Sequence, residues 1–250
     1  TYSYRLINNI DFSEFSNLPT SEYVFSGKLD GNGLEINNMS ISAESGFNKD
    51  TFGLFSSIEG TDENASVKNL IIKPLEVYAN NIKMVGTLAG YAENTNLVNI
   101  KVDAEGVIVQ GKNIVGGIVG LVKGNCNIVN LESNISVNAN YNNISGLLTG
   151  KYLYNENDNN DKISYAGGII GVADLNKTTV NNERIRNIVV NNNVKAIGEF
   201  SGFAFGVICE DSSVDNIKIN INASSYINAS YSAGYIAGEN RGYINRAETI

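Results

Sequence analysis

Val115-Gly116-Gly117-Ile118-Val119-Gly120, followed by Ile128-Val129-Asn130-Leu131, is the stretch on which the fold of this chain turns. The first half is a small or apolar residue, Gly, any residue, two apolar or small residues, Gly. It recurs as Val85-Gly86-Thr87-Leu88-Ala89-Gly90, Ser145-Gly146-Leu147-Leu148-Thr149-Gly150 and Ala166-Gly167-Gly168-Ile169-Ile170-Gly171. Two later copies are Ser201-Gly202-Phe203-Ala204-Phe205-Gly206 and Ala233-Gly234-Tyr235-Ile236-Ala237-Gly238, and Phe52-Gly53-Leu54-Phe55-Ser56 is a degenerate early one. The second half, apolar-spacer-Asn-apolar, recurs around Asn69, Asn99, Asn187 and Asn216, with Ile36-Asn37-Asn38-Met39 and Ile244-Asn245 as terminal relatives. Two motifs locked in phase at a period near 30 residues are the mark of a repeat architecture.

Each period holds two or three apolar runs of strand length and none long enough for a stable helix. One such unit cannot bury its apolar side alone, so neighbours must stack. Stacked coils place equivalent residues about 4.8 Å apart, which assigns roles to both recurrent residue types. Glycine lets the backbone turn sharply or approach the adjacent coil, and asparagine side chains can donate and accept along a column. The fold predicted is all-β, a right-handed parallel β-helix of about seven coils of roughly 30 residues. Its structural positions are Gly86, Gly90, Gly116, Gly120, Gly167, Gly171, Gly202, Gly206, Gly234 and Gly238, with Asn69, Asn99, Asn130, Asn187 and Asn216. A β-propeller would need a longer period, and a leucine-rich repeat a Leu-rich scaffold with helices.

Residues 1–250 read as one domain. The first 50 residues form atypical coils, in which Asp30-Gly31-Asn32-Gly33 is a turn signal between two strands. A polar insertion loop at 151–163 interrupts the repeat; its Glu156, Asp158 and Asp161 suggest calcium, but without the spacing or glycine of an EF-hand loop. Without an initiator methionine or signal peptide, the chain is expected to be a fragment of a larger protein.

Composition narrows the chemistry. The 250 residues contain no histidine, no tryptophan and two prolines. The 40 asparagines compare with about 10 at average usage. Without histidine there is no Ser-His-Asp triad and no HExxH zinc site within these residues. Cys126 and Cys209 lack CxxC partners and sit in apolar runs, as core thiols do. No catalytic residue, metal site or cofactor is therefore assigned. A net charge of −8 argues against nucleic acid and against anionic membrane surfaces, and no apolar run is long enough for a membrane-spanning helix. The acids Glu210, Asp211 and Asp215 cluster at one turn and Asp11, Glu14, Glu22 and Asp30 near the start; both groups suit a solvated surface better than a catalytic groove.

Phe25-Ser26-Gly27-Lys28-Leu29-Asp30-Gly31-Asn32-Gly33, then Gly53-Leu54-Phe55 and the Gly116–Gly120 and Gly167–Gly171 copies, resemble GLUG-repeat regions of bacterial cell-surface proteins. The resemblance spans nearly the whole chain apart from 155–161. Such regions occur in adhesins and in the amino-terminal, non-catalytic part of IgA1-specific zinc metalloproteases of Gram-positive bacteria, whose zinc ligands lie in a distant carboxy-terminal domain. The resemblance implies an extracellular module, cell-wall-attached or secreted and expected to be monomeric, that spaces a catalytic domain or helps hold immunoglobulin A. An adhesin rod presenting loops to a host ligand is the alternative. A carbohydrate-active β-helix enzyme is a third, and it lacks the concentrated acids that reaction needs.

Overall fold

The computed structural model describes residues 2–15, 21–43, 47, 49–60, 65–140, 163–176, 185–191 and 194–250. Among them there is no helix, and the strand pairings are parallel, in one sheet of 18 strands and one of seven. The chain winds as a parallel β-solenoid of about six turns.

One coil serves for all. The strand Thr95–Val102 forms the first face, Ile108–Gly111 and Ile114–Gly116 the second, and Val119–Gly124 the third. The next coil then opens with Asn127–Ser133 laid directly on Thr95–Val102. Leu97 stacks between Val67 and Ile128, and Ile100 between Leu70 and Leu131. These side chains are 0–1% exposed, so each contributes about 1.5–3 kcal/mol of burial relative to exposure. Alternation holds on either side of Asn99, with Val98 and Lys101 facing outward, and it breaks at Asn99 itself, whose left-handed backbone turns its side chain out and lets both Leu97 and Ile100 face in.

Successive asparagines lie 30, 31, 57 and 29 residues apart from Asn69 to Asn216. The long interval is one coil, because Gly116 pairs directly with Gly167 and Ile128 directly with Ile185. The stack therefore has one coil fewer than a count of glycine motifs predicts. The Ser145–Gly150 copy and the insertion at 151–162, with Glu156, Asp158 and Asp161, lie outside the described residues.

The start differs from the expected turn between two strands. Asp30 pairs with Lys68 and Leu34 with Leu70, so residues 31–33 sit opposite Asn69 alone. The strand Lys28–Ser42 bends there and continues in the same direction. Asn32 and Gly33 take φ of 57° and 73°, and the glycine supplies this left-handed geometry without steric cost. Ser3–Arg5 and Ile10–Asp11 complete the first coil against Lys28–Ser42.

Candidate functional site

The recurrent asparagines occupy one corner. Asn69, Asn99, Asn130, Asn187 and Asn216 all have φ between 54° and 58°, a left-handed conformation that asparagine tolerates better than other residues bearing a side chain. Each amide donates toward the coil before it: Asn99 to Asn69 at 2.8 Å, Asn130 to Asn99 at 2.6 Å, Asn187 to Asn130 at 2.8 Å and Asn216 to Asn187 at 2.7 Å. A column with one polarity needs an acceptor at its head. Asn69 donates to the Asp30 carboxylate at 3.0 Å. That bond, together with the Asn32 backbone N–H, holds Asp30 below the usual carboxylate range.

The two terminal relatives lie elsewhere. Asn38 is an extra residue between the pairs Asn37–Lys73 and Met39–Pro74, and it donates to Asp11 at 2.9 Å. Asn245 falls in register with Asp215, so Arg246 takes the place that asparagine holds in earlier coils. Arg246 Nε donates to Asp215 at 2.7 Å and its terminal nitrogen to the second carboxylate oxygen.

The glycines form two further columns. Gly86, Gly116, Gly167, Gly202 and Gly234 stack in register. Each precedes a sharp turn, and a Cβ there would strike backbone of the following strand: the carbonyl of Ala89, Val119, Ile170, Phe205 or Ala237 respectively. Gly90, Gly120, Gly171, Gly206 and Gly238 belong to the seven-stranded sheet, where a Cβ would meet backbone of the neighbouring coil; that of Gly120 would lie 2.5 Å from the Gly90 carbonyl oxygen. In the early copy Ser56 stands at this second position, and its hydroxyl lies 2.6 Å from that of Thr51.

Other groups named from sequence do not converge. Cys126 and Cys209 are buried free thiols, and burial pushes both up to about 12, so neither is a ready nucleophile at neutral pH. Glu210 and Asp211 are exposed while Asp215 is engaged by Arg246. Asp11 bonds Asn38 and the Ser13 N–H, Glu14 is exposed, and the side chain of Glu22 lies outside the described residues. Among the described residues no group of three or more Cys, Asp or Glu could hold a metal ion.

A concavity does lie on the outside of the first coils. Its volume is about 370 Å³, and Tyr4, Lys28, Asp30, Ser66, Lys68 and Asn96 are among its lining residues. Stacking brings them together: Ser3 pairs with Lys28, Lys28 with Ser66 and Ser66 with Asn96, while Asp30 pairs with Lys68 in the adjoining column. Lys68 Nζ lies 3.5 Å from Asp30. Lys28 is exposed and has no ion pair among the described residues. Sequence reasoning missed this group, because the coil that runs from Lys28 to Ser66 departs from the 30-residue period: Lys73 meets Glu35 across 38 residues. A period of 30 laid over the chain does not bring Lys28 to Ser66.

No protein-family model, no curated protein and no solved structure matches this chain.

Proposed function

We propose that the chain is a non-catalytic structural and recognition module of a large bacterial surface protein: a stiff solenoid that spaces a distant catalytic domain and helps hold its substrate. The observation that carries this reading is the way the repeat residues are used. The asparagine amides bond one another from coil to coil, and the glycines face backbone. The recurrent chemistry is thus consumed in stiffening the rod, and contacts with a partner fall to the outer face. The GLUG-like segments support an IgA1-type zinc metalloprotease as the parent protein, with immunoglobulin A as the partner.

Titration of the purified 250-residue chain against human IgA1, with IgA2 and an unrelated immunoglobulin as controls, tests it. The expected result is hinge-dependent binding with Kd of about 1 µM or tighter. Absence of binding at high concentration would remove the substrate-holding role. An adhesin segment is the second reading, and the concavity over the first coils favours it, since a passive spacer has no need of a ligand-sized recess.

A further inference from the structure

We propose that the concavity between Lys28 and Lys68 binds a saccharide unit bearing a single carboxylate. The inference rests on the recognition reading above and names the chemistry of one contact within it.

Size is the first constraint. A recess of about 370 Å³ is at the small end of the range for ligand sites, about 300–1,000 Å³, and suits one or two sugar rings. Charge is the second. Asp30 is occupied by the Asn69 amide, the Asn32 N–H and Lys68. Lys28 is then the cation left over, in a molecule whose net charge of −8 repels multiply charged anions from a distance. One monoanionic group matches it. Backbone geometry is the third constraint. Phosphate sites commonly use clustered N–H groups or an arginine fork. Here the main-chain groups of Lys28–Ser42 and Ala65–Ala79 pair along the solenoid axis, so side chains supply the walls. Ser3, Ser66 and Tyr4 line the recess with hydroxyl groups beside Lys28, a set suited to sugar hydroxyls. A peptide laid in as an added strand would need an open sheet edge, whereas Lys28, Ser66, Lys68 and Asn96 stand on strands paired to one another, and only the Ser3–Tyr4 wall belongs to a strand with a single described neighbour.

Calorimetric titration with sialyllactose, galacturonic acid, lactose and inorganic phosphate tests the assignment. We expect at least one carboxylated saccharide to bind with Kd of about 1 mM or tighter, and lactose and phosphate not to bind at about 10 mM. Lys28→Gln should weaken that binding about tenfold through loss of a charge-assisted contact, and Lys218→Gln on a distant coil should leave it unchanged. Matching thermal melts of the two variants exclude unfolding as the cause. Equal binding of lactose, competition by phosphate, insensitivity to Lys28→Gln, or no saccharide bound would each overturn the proposal. IgA1 binding by the unaltered chain together with any of these outcomes would leave the recognition reading standing while this one falls.

Discussion

At the scale of single residues, asparagine does two jobs at one position, and they can be separated. Asn99 holds a left-handed backbone with φ of 55°, donates to Asn69 and accepts from Asn130. Asn99→Gly keeps the backbone permissive and removes both side-chain bonds, a loss of about 1–2 kcal/mol for an exposed pair. Asn99→Ala removes the same bonds and, relative to glycine, costs about 1 kcal/mol more, because it keeps a Cβ in left-handed geometry without the local hydrogen bonding that lets asparagine tolerate it. Urea unfolding should rank wild type above Gly and Gly above Ala. Equal stability of the two variants would mean that the side-chain ladder alone selects asparagine here. The ladder was legible in the sequence because five of its members share one apolar-spacer-Asn-apolar frame. Its two ends were not, because neither lies in that frame: the Asp30 carboxylate accepts at the head, and at the tail Arg246 takes the asparagine position but bonds Asp215.

At the scale of the element, the corner between Ile114–Gly116 and Val119–Gly124 is defined by what cannot fit there. A Cβ on Gly116 would run into the Val119 carbonyl, and one on Gly167 into that of Ile170. Both obstacles are backbone, so no rotamer change relieves them. Gly106 offers the opposite case: φ is 85°, but nothing lies within 4 Å of a Cβ placed there. Gly116→Ala should therefore cost more than about 4 kcal/mol or abolish folding, while Gly106→Ala should cost about 1 kcal/mol. Circular dichroism and urea unfolding of the two variants make the comparison, and similar costs would show that conformational freedom, not close approach, explains the column. Strand stacking and the glycine corners could be read from periodicity because every copy repeats the same obstruction. Coil number could not, since a motif copy such as Ser145–Gly150 carries no sign of whether Gly116 pairs with it or with Gly167. The recess was equally hidden, because Ser66 and Asn96 follow the 30-residue period but Lys28 reaches Ser66 only across the longer coil of 38 residues.

At the scale of the whole molecule, a solenoid's stability is a sum of coils and interfaces between nearest neighbours, so conditions can move its weakest point along the axis. Carboxyls shifted in opposite directions are segregated along this one. Asp11, Asp30 and Glu35 lie in the first coils and are held below their ordinary range, chiefly by the Asn38 amide, the Asn69 amide and Lys73 respectively. The stability they lend is present above the range in which these groups titrate in the unfolded chain, and it is lost as pH falls through their lowered values. Glu199 and Glu239 lie in the later coils, and burial raises both. Their contribution runs the other way: it is fully present below the unfolded range and lost as pH rises through the raised values. Acidification should thus loosen the first coils while favouring the later ones. Hydrogen exchange, corrected for intrinsic rates and compared between pH 7 and about pH 3.5, should show protection of Lys28–Ser42 falling relative to Phe205–Ile208. The Glu199→Gln variant sharpens the test. Its amide oxygen can still accept the Ser164 N–H that now lies 2.8 Å from the carboxylate, so the acid-dependent gain of the later coils should shrink while the loss in the first coils persists. A uniform change along the rod in both proteins would mean that the coils open as a single unit, with no weak end for pH to select.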